Sequence, residues 1–262
     1  MSLSVISALL YALATFLLAR GVRADSPGRH WLWAAIPAIA LHAAVHWQGW
    51  QFTGTTDLHF FAALSLVGLG MATLTVAGTA TGTARALGVV VFPLAAVMLL
   101  AYGVYGHTIR PEPLRWQLLM HAWLALLSYA TLSLAAVLAI FLWAQERALR
   151  RRDFHAWLRA LPPLTELETL LFRTITVGFV LLTGTLLTGA LYVENLLAQH
   201  IVHHTVLSIL SWLAFGALLL GRWRRGWRGA LAVRWTLTAM ALLALALFGS
   251  KYVLELVLGR GG

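Results

Sequence analysis

The chain alternates between long apolar stretches and short polar segments. At 1.5 Å per helical residue, about 20 apolar residues cross a hydrocarbon core of about 30 Å. We therefore expect eight membrane-spanning helices, at residues 2–20, 31–50, 58–79, 86–105, 116–144, 166–192, 204–222 and 231–258. The pattern predicts an all-α fold, a polytopic transmembrane helix bundle, with residues 1–262 forming a single integral membrane domain.

The basic residues in the connecting segments predict the orientation of the bundle. Arginines occupy the connections after the first, third, fifth and seventh spans, whereas the alternate connections hold only Arg110 and Arg115. Connections rich in arginine remain in the cytoplasm. We therefore expect both termini to lie outside, in the periplasm if the cell is Gram-negative.

Two local signals lie near the start of the sixth span. Thr165 and Glu168 have the spacing of a capping box, which predicts that they open this helix. The segment Asp153–Leu161 has the pattern of a short amphipathic helix on the inner leaflet.

The composition excludes several classes of protein. Hydrophobic residues make up 60% of the chain and charged residues 11%, whereas soluble domains average about 45–50% and about 25%. A soluble enzyme, a nucleic-acid binder and a disordered chain are therefore poor interpretations, and the net charge of +10 is explained by the connecting arginines. The absence of cysteine excludes thiolate metal sites and thioether haem attachment. No catalytic motif is found, and we expect no enzyme.

The histidines are distributed unevenly over this topology. Eight of the ten fall in the predicted outer half or outer connections: His42, His46, His59, His107, His121, His200, His203 and His204. Ionisable side chains within a membrane are costly, so they tend to face the bundle interior and mark a site. His42 and His46 share one helical face, so either both point into one cavity or His46 reaches the headgroups. For His121 the alternative to a site is a hydrogen bond to the backbone of a neighbouring span.

Several imidazoles near apolar and aromatic residues favour haem, which needs one or two axial ligands. Trp116, Trp123 and Trp212 lie at similar predicted depth. A metal ion held with Asp57, Glu112 or Glu194 is the alternative. The candidate cofactor-binding residues are His121, His42, His203, His204 and His46, and His121 and His42 are the first candidates for haem-iron ligands.

The stretch Met120–Ala130, MHAWLALLSYA, resembles the cytochrome c assembly protein family (CcsA-like and ResC-like proteins). In that family a histidine is followed seven residues later by Ser-Tyr-Ala or Ser-Tyr-Gly. Other similar stretches are Leu161–Arg173, His203–Trp212 and Gly221–Gly229. The length and the eight-span layout are most similar to the HemX-like and YpjD-like inner-membrane branch, which implies a multi-pass protein of the bacterial inner (plasma) membrane.

The resemblance implies a haem-handling membrane protein. His121 corresponds to an external axial haem ligand and His42 to a histidine within the membrane, and the implied partners are membrane proteins of cytochrome or haem biogenesis. Tyr192–Val202 contains no tryptophan and Gly249–Gly262 no histidine, so two features of members that present haem to apocytochrome c are absent. The alternative is a cofactor-free accessory or regulatory subunit that controls haem synthesis or accompanies an ion-transport protein.

Overall fold

A computed structural model describes residues 2–23, 28–78, 84–106, 115–152, 161–192 and 202–249. These ranges contain eight α-helices: α1 Ser2–Arg23, α2 Leu32–Thr53, α3 Phe60–Ala77, α4 Ala84–Tyr105, α5 Trp116–Arg151, α6 Leu164–Tyr192, α7 Val202–Arg225 and α8 Gly229–Ala244. The prediction of an all-α fold with eight helices is thus confirmed. The predicted helix at 153–161, of which only Leu161 is described, and the histidines His107, His155 and His200 lie outside the described residues.

Seven of these helices are long and apolar enough to cross a membrane. The eighth, α2, has 22 residues, or about 33 Å of helix, but it is less apolar because it carries His42, His46 and two glutamines. The longest is α5, whose 36 residues extend about 54 Å. It continues to Arg151, beyond the predicted end at 144, so it exceeds the thickness of the hydrocarbon core.

The helices form two compact units. In the first unit, α1–α4, helix α4 packs against α1 and α3, and α2 packs against the same two helices. In the second unit, α5–α8, helix α6 packs between α5 and α7, and α8 contacts both α5 and α7. The interpretation of residues 1–262 as a single domain stays a prediction.

Ser128 and Tyr129 join α5 to two neighbours within the second unit. The Ser128 hydroxyl donates to the carbonyl of Gly178 on α6 at 3.3 Å, and the Tyr129 hydroxyl donates to the carbonyl of Leu243 on α8 at 2.8 Å. A Cβ at Gly178 would lie 2.4 Å from the Leu132 side chain, so the contact between α5 and α6 requires glycine. The Ser-Tyr-Ala segment is therefore a packing element of this unit.

The same tyrosine explains an irregularity in α8, which continues as a π-helical turn over Leu245–Gly249. The Tyr129 hydroxyl donates to the carbonyl of Leu243, just before this turn. In a regular α-helix that carbonyl would accept the backbone N–H of Leu247, four residues later. A side chain inserted between them displaces the regular pattern, which is one cause of π turns.

Glu168 on α6 contacts the end of α7 and the start of α8 in the second unit. Its buried carboxylate accepts a hydrogen bond from the backbone N–H of Gly229 at 3.2 Å. It also forms ion pairs with Arg222 at 3.8 Å and Arg228 at 3.5 Å. The predicted capping box is wrong: α6 begins at Leu164, and the carboxylate caps the first turn of α8, where the free N–H groups attract negative charge.

Candidate functional site

His42 and His46 meet at one hydroxyl in the first unit. Both lie on α2, and the Nε2 atom of each ring is 2.9 Å from the Oγ of Ser65 on α3. Of the two alternatives for His46, the structure supports the shared interior location. Spacing of four residues on α2 produces this arrangement, because it places both rings on the same helical face.

The remaining contacts of these rings extend the cluster on both sides. His42 is fully buried, and its Nδ1 lies 3.2 Å from the Tyr11 hydroxyl on α1. Both nitrogens of His42 are thus engaged in hydrogen bonds, so its coordination to iron requires the loss of one of them. The His46 ring stacks on Tyr102 of α4 with a centroid separation of 4.6 Å.

His59 lies next to this cluster, at the residue that precedes α3. Its Nδ1 pairs with the carboxylate of Asp57, which also accepts the backbone N–H of His59 at 3.1 Å. The ring centroid is 6.2 Å from that of Tyr102. Its Nε2 is buried and has no hydrogen-bond partner among the described residues.

His121 lies in the second turn of α5 and contacts the end of α6. Its Nδ1 is 3.0 Å from the hydroxyl of Thr188. The same hydroxyl lies within donating distance of two backbone carbonyls of its own helix, that of Gly184 at 2.8 Å and that of Thr185 at 3.0 Å. When the hydroxyl donates to these carbonyls, the oxygen of Thr188 accepts from His121, and the imidazole then carries its hydrogen on Nδ1 and a lone pair on Nε2.

Gly189 leaves the room that the His121 ring needs. A Cβ at this position would lie 3.2 Å from Cε1 of the imidazole, so a larger residue would displace the ring. Together, Thr188 and Gly189 hold the ring of half-buried His121 in one orientation. A hydrogen bond on the second nitrogen is the usual support of a metal-bound histidine.

His203 and His204 begin α7 at the same end of the second unit. Trp212 donates to Thr183 at 2.9 Å and Gly216 faces Phe179, so α7 runs antiparallel to α6. Counting back along α7 places His203 and His204 about 5 Å beyond the level of Thr188. The His203 side chain is exposed and His204 is half-buried.

The structure thus divides the candidate histidines between the two units. His42 and His46 belong to the first unit, and His121, His203 and His204 to the second. In the described ranges no group of three His, Asp or Glu side chains could hold a metal ion, so the metal-ion alternative gains no support there. Sequence reasoning missed the partners Tyr11, Ser65, Tyr102 and Thr188, for which the only signal was a polar side chain within an apolar span.

Known proteins resemble this chain in sequence. Inner membrane protein YpjD of Escherichia coli (strain K12) is 38% identical over 140 residues, which are 53% of this chain and 53% of that protein. "Uncharacterized 28.8 kDa protein in nifR3-like 5'region" of Azospirillum brasilense is 37% identical over 142 residues, 53% of this chain and 52% of that protein. The chain spans about half the length of the curated relatives it matches. No solved structure matches it.

The family described as Cytochrome C assembly protein matches residues 31–258, which is most of the chain. The inner-membrane relatives and the seven helices that are long and apolar enough to cross a membrane agree with that match. The protein is a multi-pass inner membrane protein, and it belongs to the cytochrome c assembly protein family.

Proposed function

We propose that the protein binds haem non-covalently at the end of the second unit where α5 begins, with Nε2 of His121 as an axial ligand to the iron. The observation that carries the proposal is the bond from Nδ1 of His121 to Thr188. It leaves the Nε2 lone pair in the form that coordinates iron, and it holds the ring in one orientation.

The surroundings of His121 suit a large apolar ligand. Trp116, Met120 and Trp123 lie on the same first two turns of α5 and expose 65%, 44% and 48% of their surfaces. An apolar setting with one or two strong ligands is what haem requires. Bound haem would supply redox chemistry, while the protein supplies ligation and the apolar setting.

His203 or His204 is the proposed second ligand. Both lie in the same unit as His121, about one helical turn farther toward the end of the bundle. His42 and His46 are not assigned to iron in this proposal, because the Nε2 atom of each already binds Ser65.

The proposed role is to hold and pass on haem, or to respond to it, without enzymatic catalysis. Family membership supports this role. The proposed partners are other membrane proteins of cytochrome or haem biogenesis, and this end of the unit is predicted to face outward by the distribution of arginines.

The test is the absorption spectrum of the detergent-purified protein, oxidised and then reduced with dithionite, before and after addition of haemin. We expect saturable binding and, on reduction, split α and β bands, which indicate low-spin haem with two strong axial ligands. A flat titration, with no Soret band at any haemin concentration, would refute the proposal and favour a cofactor-free accessory subunit.

Thr188→Val tests whether His121 carries its hydrogen on Nδ1, bonded to Thr188. Valine has a similar shape but cannot accept the Nδ1 hydrogen, so we expect haem affinity to fall about tenfold, the lower range for loss of a supporting hydrogen bond. Thr188→Ser keeps the hydroxyl and is expected to bind normally. Thr174→Val is the matched control, because Thr174 lies on the same helix and donates only to the carbonyl of Leu170. Equal haem affinity in the two valine variants would contradict the assignment.

A further inference from the structure

We propose that the first unit contains a proton relay, which connects the Asp57–His59 pair at the ends of α2 and α3 to Tyr11 within α1. The relay consists of Tyr11, His42, Ser65 and His46, joined by contacts of 3.2, 2.9 and 2.9 Å. Every member can both donate and accept a hydrogen bond. The proposal is independent of haem binding, since all of these residues belong to the first unit.

The hydroxyl of Ser65 makes this a directional chain. It has a single hydrogen but lies 2.9 Å from two Nε2 atoms, so within the relay it donates to one imidazole and accepts from the other. If it donates to His46, then His42 carries its hydrogen on Nε2 and His46 on Nδ1. If it donates to His42, both assignments reverse. The two neutral histidines therefore hold opposite tautomers in either state.

Transfer of one proton along the chain reverses both tautomers and separates charge between its two ends. The Tyr11 hydroxyl gives its proton to Nδ1 of His42, Nε2 of His42 gives one to Ser65, and Ser65 gives one to Nε2 of His46. The Nδ1 proton of His46 then leaves toward His59. With a water between His46 and His59, five bonds to hydrogen break and five form. The net change is one proton moved from Tyr11 to His59, which leaves Tyr11 as a tyrosinate and His59 as an imidazolium paired with Asp57. The reverse sequence returns it.

One end of the relay is the Asp57–His59 pair. Asp57 holds the Nδ1 hydrogen of His59, which leaves a lone pair on a buried Nε2 with no partner among the described residues. Buried polar atoms of this kind generally bind an ordered water. A water between His59 and His46, beside the Tyr102 ring that neighbours both, would complete the path.

The inner end is shielded from the lipid. Tyr11 and His42 have no exposed surface, and the Tyr11 ring stacks on Phe92 with a centroid separation of 5.8 Å. An imidazole hydrogen in such a position exchanges with solvent only when the helices open. A relay gives it a second route, along the hydrogen-bonded chain.

The experiment measures the histidine tautomers and the deuterium exchange of the His42 side-chain N–H by ¹⁵N NMR, in full-length protein labelled at histidine and placed in lipid nanodiscs. Signals are assigned by His42→Gln and His46→Gln. We expect opposite tautomers at the two positions. We also expect the N–H of His42 to exchange about tenfold or more faster than the backbone amides of the same turn, which report helix opening.

Ser65→Ala breaks the chain, and Ser65→Thr keeps the hydroxyl. We expect alanine to slow His42 exchange to the rate of the nearby amides, whereas threonine leaves it close to that of the unaltered protein. Identical tautomers at His42 and His46 in the unaltered protein would overturn the proposal even if the alanine variant failed to fold. Equal exchange in the alanine and threonine variants would overturn it as well.

Discussion

Replacing His121 with alanine is expected to remove most of the haem that the purified protein binds and to weaken haemin binding at least about tenfold, because the substitution deletes an axial ligand. The measurement is a haemin titration followed at the Soret band. The protein is expected to stay folded, since His121 is only half-buried and its contact with Thr188 joins side chains near the ends of two helices.

His30→Ala is the control for this series, because His30 is exposed in the segment before α2. It is expected to bind haemin normally. His203→Ala and His204→Ala identify the second ligand, since loss of that ligand converts the split α and β bands to a high-spin spectrum. An unchanged Soret band in the His121, His203 and His204 variants would show that the ligand assignment is incorrect.

His42→Ala separates the haem proposal from the relay proposal. The contacts of His42 to Tyr11 and Ser65 lead us to expect an unchanged haem spectrum in this variant. A changed spectrum would instead make His42 an iron ligand, as the family resemblance implies.

The second large effect is expected at Glu168. Glu168→Ala leaves Arg222, with 26% of its side chain exposed, without its anionic partner, and it leaves the Gly229 N–H without its acceptor. We expect a loss of about 2 kcal/mol in the free energy of unfolding, which is typical for a charged hydrogen-bond partner removed from a partly buried site. Thermal unfolding in detergent measures the loss.

The matched control is Glu166→Ala, two residues earlier on the same helix. Glu166 is exposed, so its removal is expected to change stability by no more than about 0.5 kcal/mol. Glu168→Gln keeps an oxygen for Gly229 but removes the charge, so it separates the hydrogen bond from the ion pairs. Equal melting temperatures for the two alanine variants would show that Glu168 does not stabilise the start of α8.

Helix positions are predictable here because each span must be apolar over its own length, a property of neighbouring residues. All eight predicted spans coincide with helices, within a few residues at most described ends. The capping box failed for the opposite reason. Its motif assumes that Glu168 acts within its own turn, but the side chain bonds Gly229, 61 residues away, and a local motif carries no information about that partner.

The same distinction applies to the histidines. The shared face of His42 and His46 follows from helical spacing alone, and their common partner confirms it. Their tautomers, and that of His121, depend on Ser65, Tyr11 and Thr188, which approach from other helices. Serine and threonine are frequent in membrane helices for packing reasons, so nothing in the sequence marks these particular hydroxyls.

The π turn at Leu245–Gly249 makes the angular position of the residues that follow α8 depend on one atom of α5, the hydroxyl oxygen of Tyr129. In a regular helix each residue advances by 100°, so the wider turn changes the direction in which the residues after Ala244 point. Phenylalanine at position 129 has no hydroxyl, so the carbonyl of Leu243 would accept the backbone N–H of Leu247 instead, and the π turn would become regular α-helix. Phe248, whose ring lies 6.0 Å from that of Tyr129, would then rotate around the helix axis. The Tyr129 hydroxyl therefore sets the angular position of a side chain more than 110 residues away in sequence.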